Sequence, residues 1–320
     1  MSGRIVTLGE ALGVLRTTGP GSLAQLGTLV VGTGGAEGNV AIGAARLGAP
    51  VSWHGRVGDD GLGRRVVREL RAEGVEVHAI VDPAAPTGLL IKETPAPGRT
   101  AVSYYRTGSA GSRLTAADLE LYLGRQGLEP EDILHLTGIT PALSASARDA
   151  VLYAISLAEQ AGAAVSYDVN HRSRLWSTDD AVPVHRALIA RATIVFAGDD
   201  EARLVAGSAS EDPGVLAEAL AALGPAEVVV KLGTGGALAL VDGEQVRVPA
   251  VPVSAVDTVG AGDAFVAGYL AERLAGLPAA ARLATATRAG AAACLHPGDW
   301  EGAPTRAELA AGPWDDPVIR

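Results

Sequence analysis

Asp257-Thr-Val-Gly-Ala-Gly-Asp263 runs directly into the apolar-periodic stretch Ala264–Ala275, which Gly276 and Pro278 stop. Val266, Leu270 and Leu274 recur at i, i+4 and i+8, so the stretch predicts a helix with Asp263 in its first turn. Gly260 and Gly262 let the backbone turn tightly and bring bare N–H groups to the helix start, where phosphate or developing negative charge is stabilised. Taken alone, Asp263 has two readings: a helix cap that complements the dipole, or a working carboxylate beside an anion-binding loop. In a chain that alternates strand and helix, such a loop lies at the carboxyl ends of the strands.

The rest of the chain has that alternation. Arg4–Leu8, Val51–Trp53 and Val75–Ile80 read as strands, separated by helical patterns over Ala36–Leu47 and Leu62–Ala72. From Asp132 the alternation resumes with Ile133–Leu136, a helix over Ser144–Ala161, Ala164–Tyr167, a helix near Ala181–Ala190 and Ile194–Phe196. Glu227–Lys231, Ala237–Val241 and Gln245–Val248 follow as further strands. Strands separated by helices of this length build a parallel or mixed sheet covered on both faces. Two stretches break the pattern: Leu12–Thr18 with Leu29–Val31, and Thr87–Glu93 with Thr100–Arg106, the latter joined by the turn residues Thr94-Pro-Ala-Pro-Gly98. They predict a small antiparallel insert, either a surface hairpin or a lid that excludes water.

The composition is that of an ordinary globular chain: 320 residues, 48% hydrophobic, 19% charged. A net charge of −10 opposes general nucleic-acid or anionic-membrane binding, so an anionic ligand needs local Arg or Lys. Cys294 is the only cysteine, which excludes an internal disulfide framework and a thiolate metal cluster. The start of the chain lacks the apolar core of a signal peptide, and no stretch reaches a membrane span, so a cytoplasmic protein is expected.

Gly34-Gly-Ala-Glu-Gly-Asn39 opens the Ala36–Leu47 helix, but Glu37 stands where the dinucleotide fingerprint needs its third glycine. Gly34 and Gly35 admit a small polar ligand against the backbone, with Asn39 offering a donor and an acceptor, or else form only a tight strand-to-helix turn. Lys231-Leu-Gly-Thr-Gly-Gly236 follows a strand and could wrap phosphates. There is no P-loop and no nucleophile elbow, and the six histidines show no ligand spacing. Arginines for an anion stand at Tyr104-Tyr-Arg106 and Asp168-Val-Asn-His-Arg172, where each is either a ligand fork or a surface ion-pair partner.

With Gly34–Asn39, Gly55-Arg-Val-Gly-Asp-Asp-Gly61 and Asp257–Asp263 in this order, the chain resembles the PfkB, or ribokinase-like, carbohydrate kinases nearly end to end. Within them it is most similar to the 2-keto-3-deoxygluconate kinases. That likeness rests on Tyr104-Tyr-Arg106 with Ser109-Ala-Gly-Ser112, His135–Ser144, Asp168–Arg172 with Leu175-Trp176, and Gly298-Asp-Trp-Glu-Gly302.

The resemblance implies a three-layer α/β/α ribokinase-like fold, residues 1–320 forming one kinase domain with a small β-sheet lid inserted at about 12–31 and 87–107. It implies an ATP-dependent kinase acting on a primary hydroxyl of a small sugar acid, with a neutral sugar or a nucleoside as the alternative. By the same resemblance Asp263 is the catalytic base, and the backbone of Gly260, Ala261 and Gly262 is the anion hole. Gly34, Gly35, Asn39, Tyr104, Arg106, Arg172 and Asp257 fall on the sugar side. Asn170, Lys231, Gly233, Gly236 and Asp299 fall on the ATP side with Gly260 and Gly262, and Glu201 near Mg²⁺. ATP and Mg²⁺ are implied as cofactors, with a monovalent cation such as K⁺ left open, and a homodimer or higher homo-oligomer through the lid. Two departures stand out: Gly198 replaces the usual Asn of the Asn-x-x-Glu stretch, and Leu90 occupies a position where those relatives tend to have tyrosine. The helix N-terminus predicts an Asp263 carboxylate ionised at neutral pH.

Overall fold

The computed structural model describes residues 3–25, 27–96 and 99–311. Among the described residues nine strands form one sheet: β1 (Ile5–Leu8), β4 (Val51–Gly58), β5 (Glu76–Asp82), β8 (Ile133–Thr137), β9 (Ala164–Asp168), β10 (Ile194–Gly198), β11 (Glu227–Lys231), β12 (Ala237–Val241) and β13 (Glu244–Val248). Their order is β13-β12-β11-β10-β9-β8-β1-β4-β5. From β11 to β5 every neighbouring pair is parallel, while β12 and β13 are added antiparallel. The links into β12 and β13 are too short for a crossover, and the β12–β13 turn Asp242-Gly243 has φ of 51° and 83°, as a tight hairpin turn requires.

Side chains alternate between the two faces of this sheet and build a core on each. Leu134, Leu136, Val195, Val228 and Val230 enter one, closed by the helices Ala145–Ala161 and Pro213–Ala221. Ile133, Ile194, Phe196 and Val229 enter the other, closed by Ala36–Arg46, Ala261–Leu274 and Ala279–Ala293. The result is the three-layer arrangement expected. The helix predicted near Ala181–Ala190 starts earlier, at Thr178, because the Ser177 hydroxyl accepts the Asp180 N–H and caps it there.

The second sheet consists of β2 (Leu12–Thr17), β3 (Leu29–Gly34), β6 (Leu89–Ala96) and β7 (Arg99–Tyr105), in the order β3-β2-β6-β7. Two antiparallel hairpins lie side by side, with β2 and β6 parallel, so the sheet is mixed and not antiparallel as expected. The reason is that β2 and β6 each leave the large sheet in the same direction. The supposed turn at Thr94–Gly98 also differs: β6 carries on to Ala96 across a register shift between Glu93 and Ala96, which accommodates Pro95, and Pro97 and Gly98 lie outside the described residues.

One face of this small sheet carries Leu12, Val14 and Leu90, all buried, with Val102 packed on them. Cross-strand pairing puts Leu15, Val31, Leu89, Ile91 and Tyr105 on the opposite face. The lid's apolar residues, on which a contact between copies would draw, are therefore divided between its two faces, with Leu12 and Val14 facing inward. Val31 and Tyr105 remain exposed on the outside.

Candidate active site

Two clefts meet at the carboxyl ends of the large sheet. The first, of about 430 Å³, lies between the small sheet and the ends of β9 and β11; the second, of about 560 Å³, runs beside the helices Ala261–Leu274 and Ala279–Ala293. Lys231, Thr258 and Gly262 line both, so they mark the junction. The first cleft is rich in charge, whereas the second is walled by Val251, Pro252, Val253 and Phe265.

At the junction the helix Ala261–Leu274 begins. Gly260 precedes it with φ of 79°, and a side chain there would run into the carbonyl of Asp299, so only glycine lets the two segments touch. Asp263, in the first turn, accepts a hydrogen bond of 2.8 Å from Asn39 Nδ2 and faces the first cleft. Asn39, expected to hold a ligand's hydroxyls, lines the first cleft; its amide nitrogen orients Asp263, and its buried Oδ1 has no partner among the described residues. Burial pushes the Asp263 carboxyl up to about 7, with the charge of Asp168 adding to the rise and the Asn39 hydrogen bond, Arg172 and Lys231 opposing it. The expectation of a fully ionised carboxylate is thereby corrected: desolvation at the bottom of the cleft outweighs the helix terminus.

The other cationic groups are held. Lys231 donates to both oxygens of Asp168 at 2.8 Å, joining the ends of β11 and β9. Arg106 donates through Nε to Glu10 at 2.6 Å, lies over the Tyr104 ring at 5.4 Å, and shares Glu10 with the Ser109 hydroxyl. Lys92 pairs with Asp257 and lies 3.7 Å from Asp299. Arg172 alone among the cleft's cations has no carboxylate within ion-pair distance among the described residues; its Nη1 donates only to the His171 carbonyl. It follows Asn170, whose φ of 38° turns the chain sharply after β9.

Several expected residues lie elsewhere than foreseen. Gly35 lines the first cleft, but Gly34 does not and backs onto the Asp299 carboxyl. Asp257 is also outside it, because Lys92 and the N–H groups of Val259 and Gly298 engage its oxygens. Asn170 and Asp299, assigned to the nucleotide side, both line the first cleft, while Gly233, Gly236 and Ala261 line the second. Burial pushes Asp299 up to about 6, with Lys92 opposing the rise. Glu201 lines the first cleft, but its oxygens accept the N–H groups of His171 at 2.8 Å and Gly198 at 2.7 Å, so it caps a helix as well. No cluster of three metal-ligating side chains occurs among the described residues. These donors suit a divalent ion carried on phosphates, which asks only one or two carboxylates of the protein.

Sequence reasoning missed Glu10 and Lys92. Glu10 lies two residues past β1, a position where a polar side chain at a strand end is a usable signal. Lys92 interrupts the apolar run Leu89-Leu-Ile two residues after Leu90, which puts it on the same inward face.

The chain matches the pfkB family carbohydrate kinase profile over residues 3–306. It is 36% identical over 311 residues to a 2-dehydro-3-deoxygluconokinase of Bacillus subtilis, covering 96% of this chain and 94% of that one. It is similar to a PfkB protein from Polaromonas sp. JS666, with a TM-score of 0.86, 35% identity, and coverage of 97% of this chain and 100% of that one. A ribokinase II from E. coli, described as putative and solved with ATP and Mg²⁺, superposes with a TM-score of 0.87 at 26% identity, covering 97% of this chain and 98% of that one.

A carboxyl raised by burial favours the fold while protonated, so that stability is lost as pH rises through about 7. Asp263→Asn, neutral at every pH, should therefore raise Tm by several degrees at pH 8 and by clearly less at pH 5, read by thermal unfolding. An equal increment at both pH values would contradict the raised carboxyl.

Proposed function

We propose, from the premise that this chain belongs to the pfkB family of carbohydrate kinases, that it moves the γ-phosphate of ATP to a primary hydroxyl of a small sugar acid, 2-keto-3-deoxygluconate or a near relative. The observation that carries the reading is Asp263, set beside the bare backbone of Gly260–Gly262 where a polar cleft meets an apolar one. The apolar slot suits a flat base, with Gly233 and Gly236 on its wall, and the polar cleft suits a hydroxylated ligand. The junction between them is where an acceptor oxygen and a terminal phosphate meet.

Phosphoryl transfer needs little covalent help from the protein beyond position, a proton acceptor and charge. The Asp263 carboxylate takes the hydroxyl proton as the acceptor oxygen bonds to phosphorus, and the bond from phosphorus to the bridging oxygen breaks, leaving its electron pair on ADP. Because burial raises its pKa to about 7, Asp263 is a stronger base than an ordinary aspartate and yet largely ionised just above neutrality. The N–H groups opening the helix Ala261–Leu274 and the Lys231 ammonium face the oxygens that gain charge. A divalent ion, Mg²⁺ in this reading, neutralises the phosphates when bound, and Glu201 is the carboxylate best sited to orient its shell.

The acid-sugar preference rests on charge accounting. Lys231, Arg106 and Lys92 each have a carboxylate within ion-pair distance and Arg172 has none among the described residues, so Arg172 is the cation best placed to meet a ligand's carboxylate. Leu90, opposite Tyr104 across the small sheet, leaves that wall apolar and suits a deoxy carbon. The outer face of that sheet, with Val31 and Tyr105 exposed, supports a homodimer formed by paired lids; light scattering at the mass of one chain would exclude it. No helix among the described residues is long and apolar enough to cross a membrane, and a cytoplasmic location fits a kinase that consumes ATP.

Steady-state assays of ADP release across keto-deoxy acids, gluconate, fructose, ribose and adenosine should show the highest kcat/KM for a keto-deoxy acid. Arg172→Ala should raise KM for that acid about 10–100-fold, the worth of one charge-assisted hydrogen bond, while barely moving KM for a neutral sugar. Equal losses on both would sink the acid-sugar reading. Asp263→Asn should cut kcat on the order of 10³-fold with ligand binding kept, and wild-type kcat/KM should fall with acid below about pH 7. Turnover unchanged in Asp263→Asn would reduce Asp263 to a helix cap.

A further inference from the structure

Lys92 is a charged side chain on the inward, mostly apolar face of the small sheet, with only 5% of its side chain exposed. It reaches across to the main body, where its Nζ pairs with Asp257, lies 3.7 Å from Asp299 and donates to the Gly298 carbonyl at 3.5 Å. Both carboxylates are themselves buried, with 9% and 6% of their side chains exposed. Asp257 opens the loop that ends in Asp263, and its other oxygen accepts the Val259 N–H at 3.2 Å. Asp299 touches the same loop from the far side, its carbonyl against Gly260. One ammonium thus lies against two acidic groups that flank the loop, and it comes from a strand more than 160 residues earlier in the chain.

We propose that Lys92 is a positioning residue that ties the small sheet to the Asp257–Asp263 loop, so that covering the first cleft and shaping the backbone of Gly260–Gly262 are one event. The physical reason is the cost of parting them. Lifting β6 away would leave Asp257 and Asp299 side by side in a low-dielectric site with no cation, and like charges so placed repel strongly. Among the described residues, the same half of the small sheet has few other polar ties to the main body: Arg106 to Glu10 and Arg174 to the Val102 carbonyl. Neither of these reaches the loop. The role of the loop in phosphoryl transfer rests on the reading above; the tie itself does not.

Hydrogen–deuterium exchange on the ligand-free full chain tests the tie without any substrate. Lys92→Met should raise exchange about tenfold both in peptides over 89–96 and in those over 257–263, leaving β8 and β9 unchanged, and Lys92→Arg should restore most of the protection. Unchanged exchange, or a rise in the small sheet alone, overturns the proposal. Should Lys92→Met loosen the whole fold, Asp257→Asn decides: exchange rising over 89–96 supports the tie, and exchange unchanged there refutes it. In the assay, Lys92→Met should raise ADP release without sugar, relative to sugar phosphorylation, about tenfold, since a loosened cover admits water. A wild type that phosphorylates no sugar would sink the kinase reading and leave the exchange result standing.

Discussion

A charged group taken out of water must be compensated, and the site is organised around that cost. Lys231 has Asp168, Arg106 has Glu10, and Lys92 has Asp257 and Asp299, each partner coming from a different element. Glu201 spends its oxygens on two backbone N–H groups, and Asp263 is steadied by Asn39. Breaking any of these by removing one partner would strand a buried charge, which costs several kcal/mol. The pairs therefore fix the relative positions of β9, β11, the small sheet and the helix Ala261–Leu274 more tightly than apolar packing alone would.

This compensation also sets the chemistry. In a cleft where Lys231, Arg106 and Lys92 are ion-paired, Arg172 is left without a carboxylate partner among the described residues, and Asp263 is tuned by burial and by its neighbours. Burial wins there, which raises the carboxyl and makes it a better proton acceptor at the cost of ionisation below neutrality. The contact of Gly260 with the Asp299 carbonyl brings the same economy to the backbone, since closeness there depends on the absence of a side chain.

Much of the architecture was legible because its signal is local. Short apolar runs such as Ile133–Leu136 and Val228–Val230 mark buried strands, and Val266, Leu270 and Leu274 carry the helical period; the strands keep their bounds within a residue, and the helix starts three residues earlier than read, at Ala261. The hairpins were visible, but their mutual orientation was not: nothing in Leu12–Thr18 or Thr87–Glu93 says that β2 and β6 lie parallel, which follows from where each leaves the large sheet. The set of residues in the Gly-Ala-Gly loop was legible from its motif. The state of Asp263 was misjudged, because a helix terminus is apparent in sequence and the depth of a cleft is not.

By itself the sequence determined the layered α/β fold, the loop feeding a helix at the strand ends, and the residue types that a kinase site needs, since each depends on spacing over a few residues. Only the tertiary structure decided which charges find partners. Glu10 and Arg106, Asp168 and Lys231, and Lys92 and Asp257 lie 96, 63 and 165 residues apart by their numbers, and no local pattern couples them. Which cation stays uncompensated, and which carboxyl is raised, depends on solvent exclusion and on distances of a few ångströms. Both are set by where the fold brings the small sheet, the strand ends and the helix Ala261–Leu274 together.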